Sequence, residues 1–368
     1  MGNAFTDIFD KVQDALGGFG KSADTVVGVD IGSSAVKVVQ LKKEGGKIVL
    51  QTYGEVATGP YGEMKAGQLP NLTNDQLTQL LPELFTESNV TAKVASFSIQ
   101  SSASLLFVLS LPHMTDRELA NVVPTEARKY IPIPIDEVSL DYWPIPEQEY
   151  TDTDTASKKR EALVVAIRKE TITQYNNLIN ASGFTSPILE VEVFSAIRST
   201  FKHELQPVVL VDFGASSTRV AVVEYGVVKT FHTINRGSHY FSQSLATSLG
   251  IPFEEAEALK KSQGLTEGGN TEAFNILSTG MNYIFSEINN VLLDYERTYH
   301  RSLGKMILIG GGARIKGLRE RMNNEFQVPL EFGNPFAKAN SPEFLHDILQ
   351  ESGPEFAIAL GLALKQLQ

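Results

Sequence analysis

The sequence contains no cysteine, which excludes disulfides, thiolate metal sites and cysteine nucleophiles together. It has no apolar run of the ~18 residues that a membrane span requires. Its start shows neither the charged region nor the apolar core of a secretory signal, so a cytoplasmic address is expected. Cationic excess is missing as well. There are 32 lysines and arginines against 43 aspartates and glutamates, a formal charge of −11. That balance argues against a nucleic-acid binder or a strongly cationic membrane-surface protein. The 6 histidines are scattered without metal-ligand spacing. The single tryptophan, Trp143, and its neighbour Tyr142 have no basic stripe beside them and read as packing residues.

What is present is ordinary globular text of 368 residues, 42% hydrophobic, long enough for two or more domain-sized units. In the first segment Phe5, Ile8, Phe9, Val12 and Leu16 fall on one helical face, and a Gly-rich break at Gly17–Gly20 detaches it from the rest of the chain. Strands are expected at Val26–Ile31, Ala35–Leu41, Lys47–Tyr53, Val94–Ile99 and Ser104–Leu111, with a helix over Thr73–Ser88. Thr115 and Glu118 form a capping box that opens a helix running toward Tyr130. Ile131-Pro132-Ile133-Pro134 then enforces extended backbone. Strands at Val138–Ile145 and Ala162–Ile167 flank an exposed loop, Glu147–Arg160, and a helix runs from Glu170 to Gly183. The second half reads as strands Val208–Phe213, Val220–Glu224, Val227–His232 and Lys305–Ile309. Helices are expected at His239–Leu249, Phe253–Ser262, Thr271–Tyr299, Ile315–Phe326 and Phe356–Leu367.

The two halves open alike. Val27-Gly28-Val29-Asp30-Ile31-Gly32-Ser33-Ser34 and Val209-Leu210-Val211-Asp212-Phe213-Gly214-Ala215-Ser216-Ser217 are each a buried-type strand ending in Asp-apolar-Gly-small-Ser and continuing as a hairpin. Glycine lets backbone approach an anion, and successive N–H groups with serine hydroxyls cradle phosphate oxygens. A strand-end aspartate offers a hard oxygen to magnesium, which keeps several waters and touches few carboxylates. Two such turns facing each other would clamp a polyphosphate. A third element, Ile309-Gly310-Gly311-Gly312-Ala313-Arg314, is a strand and a glycine turn on which a ribose or base could lie, with Arg314 able to stack on the base.

With these elements in this order, the chain resembles the actin, Hsp70 and sugar-kinase superfamily from Val26 to Leu364. The resemblance implies an α/β, actin-like (ribonuclease H-like) fold of two domains with ATP or ADP and Mg2+ in the cleft between them. It implies Asp30, Gly32, Ser33, Ser34 and Lys37 as the first phosphate loop, and Asp212, Gly214, Ala215, Ser216, Ser217 and Thr218 as the second. Asp30 and Asp212 would hold the metal through water. Gly310, Gly311, Gly312 and Arg314 would receive adenosine, and Glu257 and Lys260, one helical turn apart, the ribose and base. Glu192 stands where the superfamily places its hydrolytic residue, with Glu190 as rival by alternation; an ordinary charged helix start is the alternative.

The text Thr125–Val138 around Ile131-Pro132-Ile133-Pro134, continued by Leu140-Asp141-Tyr142 and Val164–Glu170, resembles the cell-division FtsA and type IV pilus assembly PilM families. Both carry an extra subdomain, 1C, inserted early in the first half. Length and the short tail resemble PilM more closely. The resemblance implies a cytoplasmic ATP-binding scaffold that docks the N-terminal peptide of a PilN-type inner-membrane protein and reaches the membrane only through partners. Other assembly-platform proteins, motor ATPases and self-association are compatible with it. Turnover would be slow or absent; a cell-division filament protein and a small-molecule kinase are the alternatives. Asn235-Arg236-Gly237-Ser238-His239 departs from the glycine pair usual in that family. The expected layout is an N-terminal segment 1–23, a first domain 24–102 and 163–206, the inserted unit 103–162, a second domain 207–333, and a C-terminal segment 334–368 returning to the first.

Overall fold

The computed structural model describes residues 24–146, 159–202 and 204–367. The expected amphipathic helix in 1–23 and nearly all of the loop 147–160 lie outside the described residues. Two five-stranded sheets of the same topology dominate the chain.

The first sheet opens with β1 (Thr25–Ile31), β2 (Ala35–Glu44) and β3 (Lys47–Ala57), an antiparallel meander joined by tight turns. After β3, helix α1 (Asn74–Glu87) carries the chain over to β4 (Val94–Ile99), which lies parallel to β1. Thr73 caps α1 in a full capping box with Gln76. The chain then leaves for a smaller sheet of β5 (Ser104–Pro112), β6 (Val138–Pro144) and β7 (Lys159–Arg168), ordered β5-β7-β6, with helix α2 (Asp116–Ala127) between β5 and β6. Both capping-box bonds of Thr115 and Glu118 are present at the start of α2. Because β7 pairs with β5 as far as Ile167 and with β6 as far as Arg168, the inserted sheet runs past the boundary expected at Ala162. Helix α3 (Lys169–Ala181) leads back to β8 (Thr185–Val191), which completes the order β3-β2-β1-β4-β8, and α4 (Glu192–Thr200) follows directly.

The second sheet repeats the plan with β9 (Val208–Phe213), β10 (Thr218–Glu224) and β11 (Val227–Ile234) as meander. Helices α5 (Ser238–Leu249), α6 (Phe253–Gln263) and α7 (Thr271–Tyr299) precede β12 (Lys305–Ile309). Helix α8 (Leu318–Glu325) joins β12 to β13 (Leu330–Phe332), giving β11-β10-β9-β12-β13. It begins at Leu318, later than the Ile315 expected, because Gly317 sits in the left-handed region and breaks the helix there. The chain closes with α9 (His346–Ser352) and α10 (Ala357–Lys365).

Helix α10 is wholly apolar apart from its last turn and packs on β1. The approach is close enough that a Cβ on Gly28 would lie 1.9 Å from the Ala359 carbonyl oxygen. On its other side Gly361 meets the Ser195 carbonyl of α4 in the same way. Nearby, Glu190 is buried in a bidentate pair with Arg198 at 2.6 and 2.7 Å and a further bond to Lys365 at 2.9 Å. Burial alone would raise its pKa, but the Arg198 and Lys365 cations outweigh it and hold the carboxyl at about 2. Glu190 is therefore a tie between β8 and the C-terminal helix.

Candidate functional site

The equivalent turns of the two meanders face one cleft of about 310 Å³, the size of a small-molecule site. Each turn is closed by the same bond. The Gly32 N–H donates to the Ala35 carbonyl at 3.1 Å, and the Gly214 N–H to that of Ser217 at 3.0 Å. A Cβ on Gly32 would fall 2.8 Å from that Ala35 oxygen, so the tight turn needs glycine.

Register sets what stands opposite each aspartate. Asp30 on β1 pairs with Lys37 on β2, and Asp212 on β9 pairs with Arg219 on β10. The Arg219 guanidinium donates to Asp212 Oδ2 at 2.8 Å and reaches Glu192 Oε2, at the start of α4, at 3.2 Å. Arg219 thus spans the cleft floor between the two halves. The same Glu192 oxygen accepts from the Ser101 N–H at 3.0 Å and its hydroxyl at 3.1 Å. Asp30 accepts from the Ser98 hydroxyl at 2.9 Å, and that hydroxyl accepts from the Ile31 N–H. Burial, then the Glu192 charge, push the Asp30 carboxyl up to about 7, against the pull of Lys37. Burial likewise raises Glu192, with Arg219 opposing it.

Another side of the cleft is built by α6 and the glycine turn after β12. Glu257 pairs with Lys260 at 2.7 Å and Lys261 at 3.3 Å, and Lys260 also donates to the Ser238 carbonyl at 3.2 Å. Burial lowers the Lys260 pKa; Glu257 is half-buried, but Lys260 holds its carboxyl below the usual range. Gly310 adopts φ +88° and lies so close to the second hairpin that a Cβ would come 2.6 Å from Asp212 Oδ1. Gly237 does the same from the other side, at 2.4 Å from the Ala215 carbonyl, while the Ser238 and His239 N–H groups donate to the Gly214 and Ala215 carbonyls.

Of the residues singled out from sequence, Asp30, Gly32, Ser33, Ser34, Lys37, Glu192, Asp212, Gly214, Ala215, Ser216, Glu257, Lys260, Gly310 and Gly311 line this one cleft. Four others do not. Ser217 is buried beneath the turn, and the Thr218 hydroxyl donates to the Arg236 carbonyl at 2.8 Å. Gly312 packs on the Phe213 ring, where a Cβ would meet it at 2.7 Å. Arg314 is held by Glu355 at 2.7 Å and Glu351 at 3.1 Å rather than poised over a base. Glu190 is enclosed by its ion pairs, so of the two glutamates only Glu192 faces the cleft. Sequence reasoning missed Arg219, Gln100, Glu55 and Glu355, which also line it. For Arg219 the signal existed: the internal repeat sets it against Asp212 as it sets Lys37 against Asp30.

Among the described residues no group of three or more histidines or carboxylates could hold a metal by itself. The cleft instead offers Asp30 and Asp212 on facing turns with Glu192 between them, an acidic floor that a hydrated divalent cation and phosphate oxygens would complete. The donor set fits a magnesium nucleotide on that account.

Among the described residues no helix is long and apolar enough to cross a membrane. A solved PilM–PilN type IV pilus biogenesis complex contains a chain 25% identical to this one. The likeness covers 95% of this chain and 100% of that one, with a TM-score of 0.78. The ethanolamine utilization protein EutJ from Carboxydothermus hydrogenoformans is 16% identical over 98% of this chain and 97% of its own, with a TM-score of 0.52. MreB 5 of Spiroplasma citri, solved bound to AMPPNP, is 13% identical over 93% of this chain and 95% of its own, with a TM-score of 0.51. These neighbours share the actin-like fold. The family described as type IV pilus assembly protein PilM matches residues 28–367. Duplicated halves, inserted sheet and matched length agree, and the chain belongs to the PilM family of type IV pilus assembly proteins.

Proposed function

We propose that the chain is a cytoplasmic scaffold of the pilus assembly platform that holds a magnesium adenine nucleotide between its two hairpins and docks the N-terminal peptide of a PilN-type membrane protein. The observation that carries the nucleotide half is the pair of Asp-bearing turns on facing sheets, both closed by the same backbone bond and opening on one cleft. The peptide half rests on membership of the family and on the likeness to a chain solved in a PilM–PilN complex. Magnesium would neutralise phosphate charge in the cleft. Asp30 and Asp212 would hold it through water, the Gly32–Ser34 and Gly214–Ser216 backbone would receive phosphate oxygens, and Glu257 and Lys260 would face the ribose and base. Membrane association then comes through the partner.

Glu192 supports a holding role over rapid turnover. One of its oxygens already accepts twice from Ser101 and pairs with the Arg219 guanidinium at 3.2 Å. Those contacts pin the carboxylate to the cleft floor, and the Arg219 charge beside it opposes its taking up a proton. A kinase would need a free base beside an acceptor hydroxyl, and the glutamate on the cleft floor is committed elsewhere.

Calorimetry on the full chain tests both halves. Titration with ATP or ADP in magnesium should give one-site binding, and a synthetic PilN-type N-terminal peptide should bind with roughly micromolar affinity, as extended peptides commonly do. Heat from neither titration would refute the scaffold reading. Fast phosphate release from ATP alone would replace it with an enzymatic one.

A further inference from the structure

Between β3 and α1 the chain takes a detour across the mouth of the cleft. Its root is tied to the first phosphate loop: the Thr58 N–H donates to the Ser34 carbonyl at 3.0 Å, and the Thr58 hydroxyl to that of Ser33 at 2.9 Å. A short turn at Gly59–Gly62 folds the chain back on itself, so that a Cβ on Gly59 would lie 2.1 Å from the Lys65 carbonyl oxygen. Gln76 at the start of α1 secures the returning limb by donating to the Tyr61 carbonyl at 2.9 Å.

The tip touches the other half of the molecule. His239 Nδ1 lies 3.1 Å from the Gly67 carbonyl oxygen. A carbonyl only accepts, so the ring carries its proton on Nδ1. The Phe253 ring packs on His239 with centroids 5.2 Å apart, and Lys65 pairs with Glu254 at 3.5 Å. Gly67 adopts φ +89°, and a Cβ there would approach the Glu257 carboxyl carbon at 3.6 Å. Ala66 and Gly67 face the cleft together with Glu257 and Lys260.

We propose that residues 58–72 are a strap over the nucleotide site, pinned to the second half at His239, that encloses the adenosine end and sets how long a nucleotide stays. The inference rests on the nucleotide reading given above. A ligand lying from the Ser33–Ser34 loop to Glu257 passes beneath the strap and leaves freely only when the tip lifts. The fastening is one hydrogen bond and one exposed ion pair, weak enough for thermal opening. Its root on the first phosphate loop makes the strap sensitive to what that loop holds.

Stopped-flow dissociation of mant-ADP from the full chain in magnesium tests this. His239→Ala should speed dissociation roughly 5-fold, the worth of one hydrogen bond. Gly67→Ala, strained at positive φ, should do at least as much. A thermal melt matching the wild type confirms that each variant is folded. Hydrogen exchange on the nucleotide-free protein gives a ligand-independent reading: amides of residues 58–72 should exchange faster in Lys65→Ala and His239→Ala. Unchanged dissociation, or unchanged exchange in both variants, overturns the strap while leaving nucleotide binding intact. A wild-type chain that binds no mant-ADP overturns the nucleotide reading and the strap's role with it.

Discussion

The two Asp-bearing hairpins share their backbone and differ in their charge balance. Both place a cation directly opposite the strand-end aspartate. In the first hairpin Lys37 leans toward Glu55 at 3.7 Å, and Asp30 takes its hydrogen bond from the neutral Ser98. In the second, Arg219 grips Asp212 and Glu192 together. A guanidinium can serve two carboxylates at once through its planar fork, whereas an ammonium is a single point charge. Register therefore fixes which residues meet, and the side-chain chemistry decides whether the meeting becomes a bridge between halves. The first hairpin is left with a carboxyl near neutrality, pushed up to about 7; the second has a clamp.

Removing the clamp should have the largest effect. Arg219→Met leaves Asp212 and Glu192 buried side by side without a cation, and loss of one partner of a buried pair costs about 3–5 kcal/mol. Denaturant unfolding would show it, and a cost near zero would mean the bridge does not form in solution. Next comes nucleotide affinity. Asp212→Asn should weaken magnesium-nucleotide binding roughly 100-fold, the worth of a charge-assisted hydrogen bond. Asp30→Asn should cost no more than about 10-fold, because that carboxyl must first shed a proton to serve a cation. The reverse order by calorimetry would overturn the contrast.

A separate reading is the pH dependence of the nucleotide-free melt. Asp30 is raised from the ordinary carboxylate range to about 7, so its contribution to stability is full below about pH 4 and is lost as pH rises through 7. Glu190, held at about 2, acts oppositely: its contribution stands above about pH 4 and is lost as pH falls toward 2. Asp30→Asn should flatten the decline between about pH 4 and 7, and Glu190→Gln should leave that decline alone. Equal slopes in wild type and Asp30→Asn would remove Asp30 as the titrating group. The smallest expected change is from Lys37→Met, within about 1 kcal/mol for a pair this loose. A destabilisation matching that of Arg219→Met would erase the distinction between the hairpins.

Much of the scaffold was legible because its signals are local. Thr115 with Glu118 announces a helix start by a bond pattern that needs no tertiary context, and the buried runs of β1 and β9 leave little choice of element. The repeat of Asp-apolar-Gly-small-Ser located both turns. It could not separate two uses of glycine: Gly310 gives backbone room beside Asp212, while Gly312 makes room for the Phe213 ring. Nor could it tell that Thr218 spends its hydroxyl on the Arg236 carbonyl. Strand β8 carries Pro187 and Glu190 and so offers no clean apolar run; its place beside β4 is set by the sheet. The strap was illegible for a different reason. A Gly- and Pro-bearing connection reads as a turn, and only the folded chain shows that Gly67 reaches His239.

The fit of α10 against Gly28 also has a temporal side. The core of the second sheet draws on residues between Val209 and Leu330 and can close as soon as that stretch is made. The face of the first sheet that carries Val26, Val39 and Leu41 is covered by Phe336, Leu349, Phe356 and the α10 residues Ala359–Leu364, roughly three hundred positions later. During synthesis the strands made first therefore keep one side open until α10 has been made, since pairings that far apart in sequence form late. The two halves thus close on different schedules: one core of the second sheet comes from a contiguous stretch, while the first sheet depends on a segment made far later.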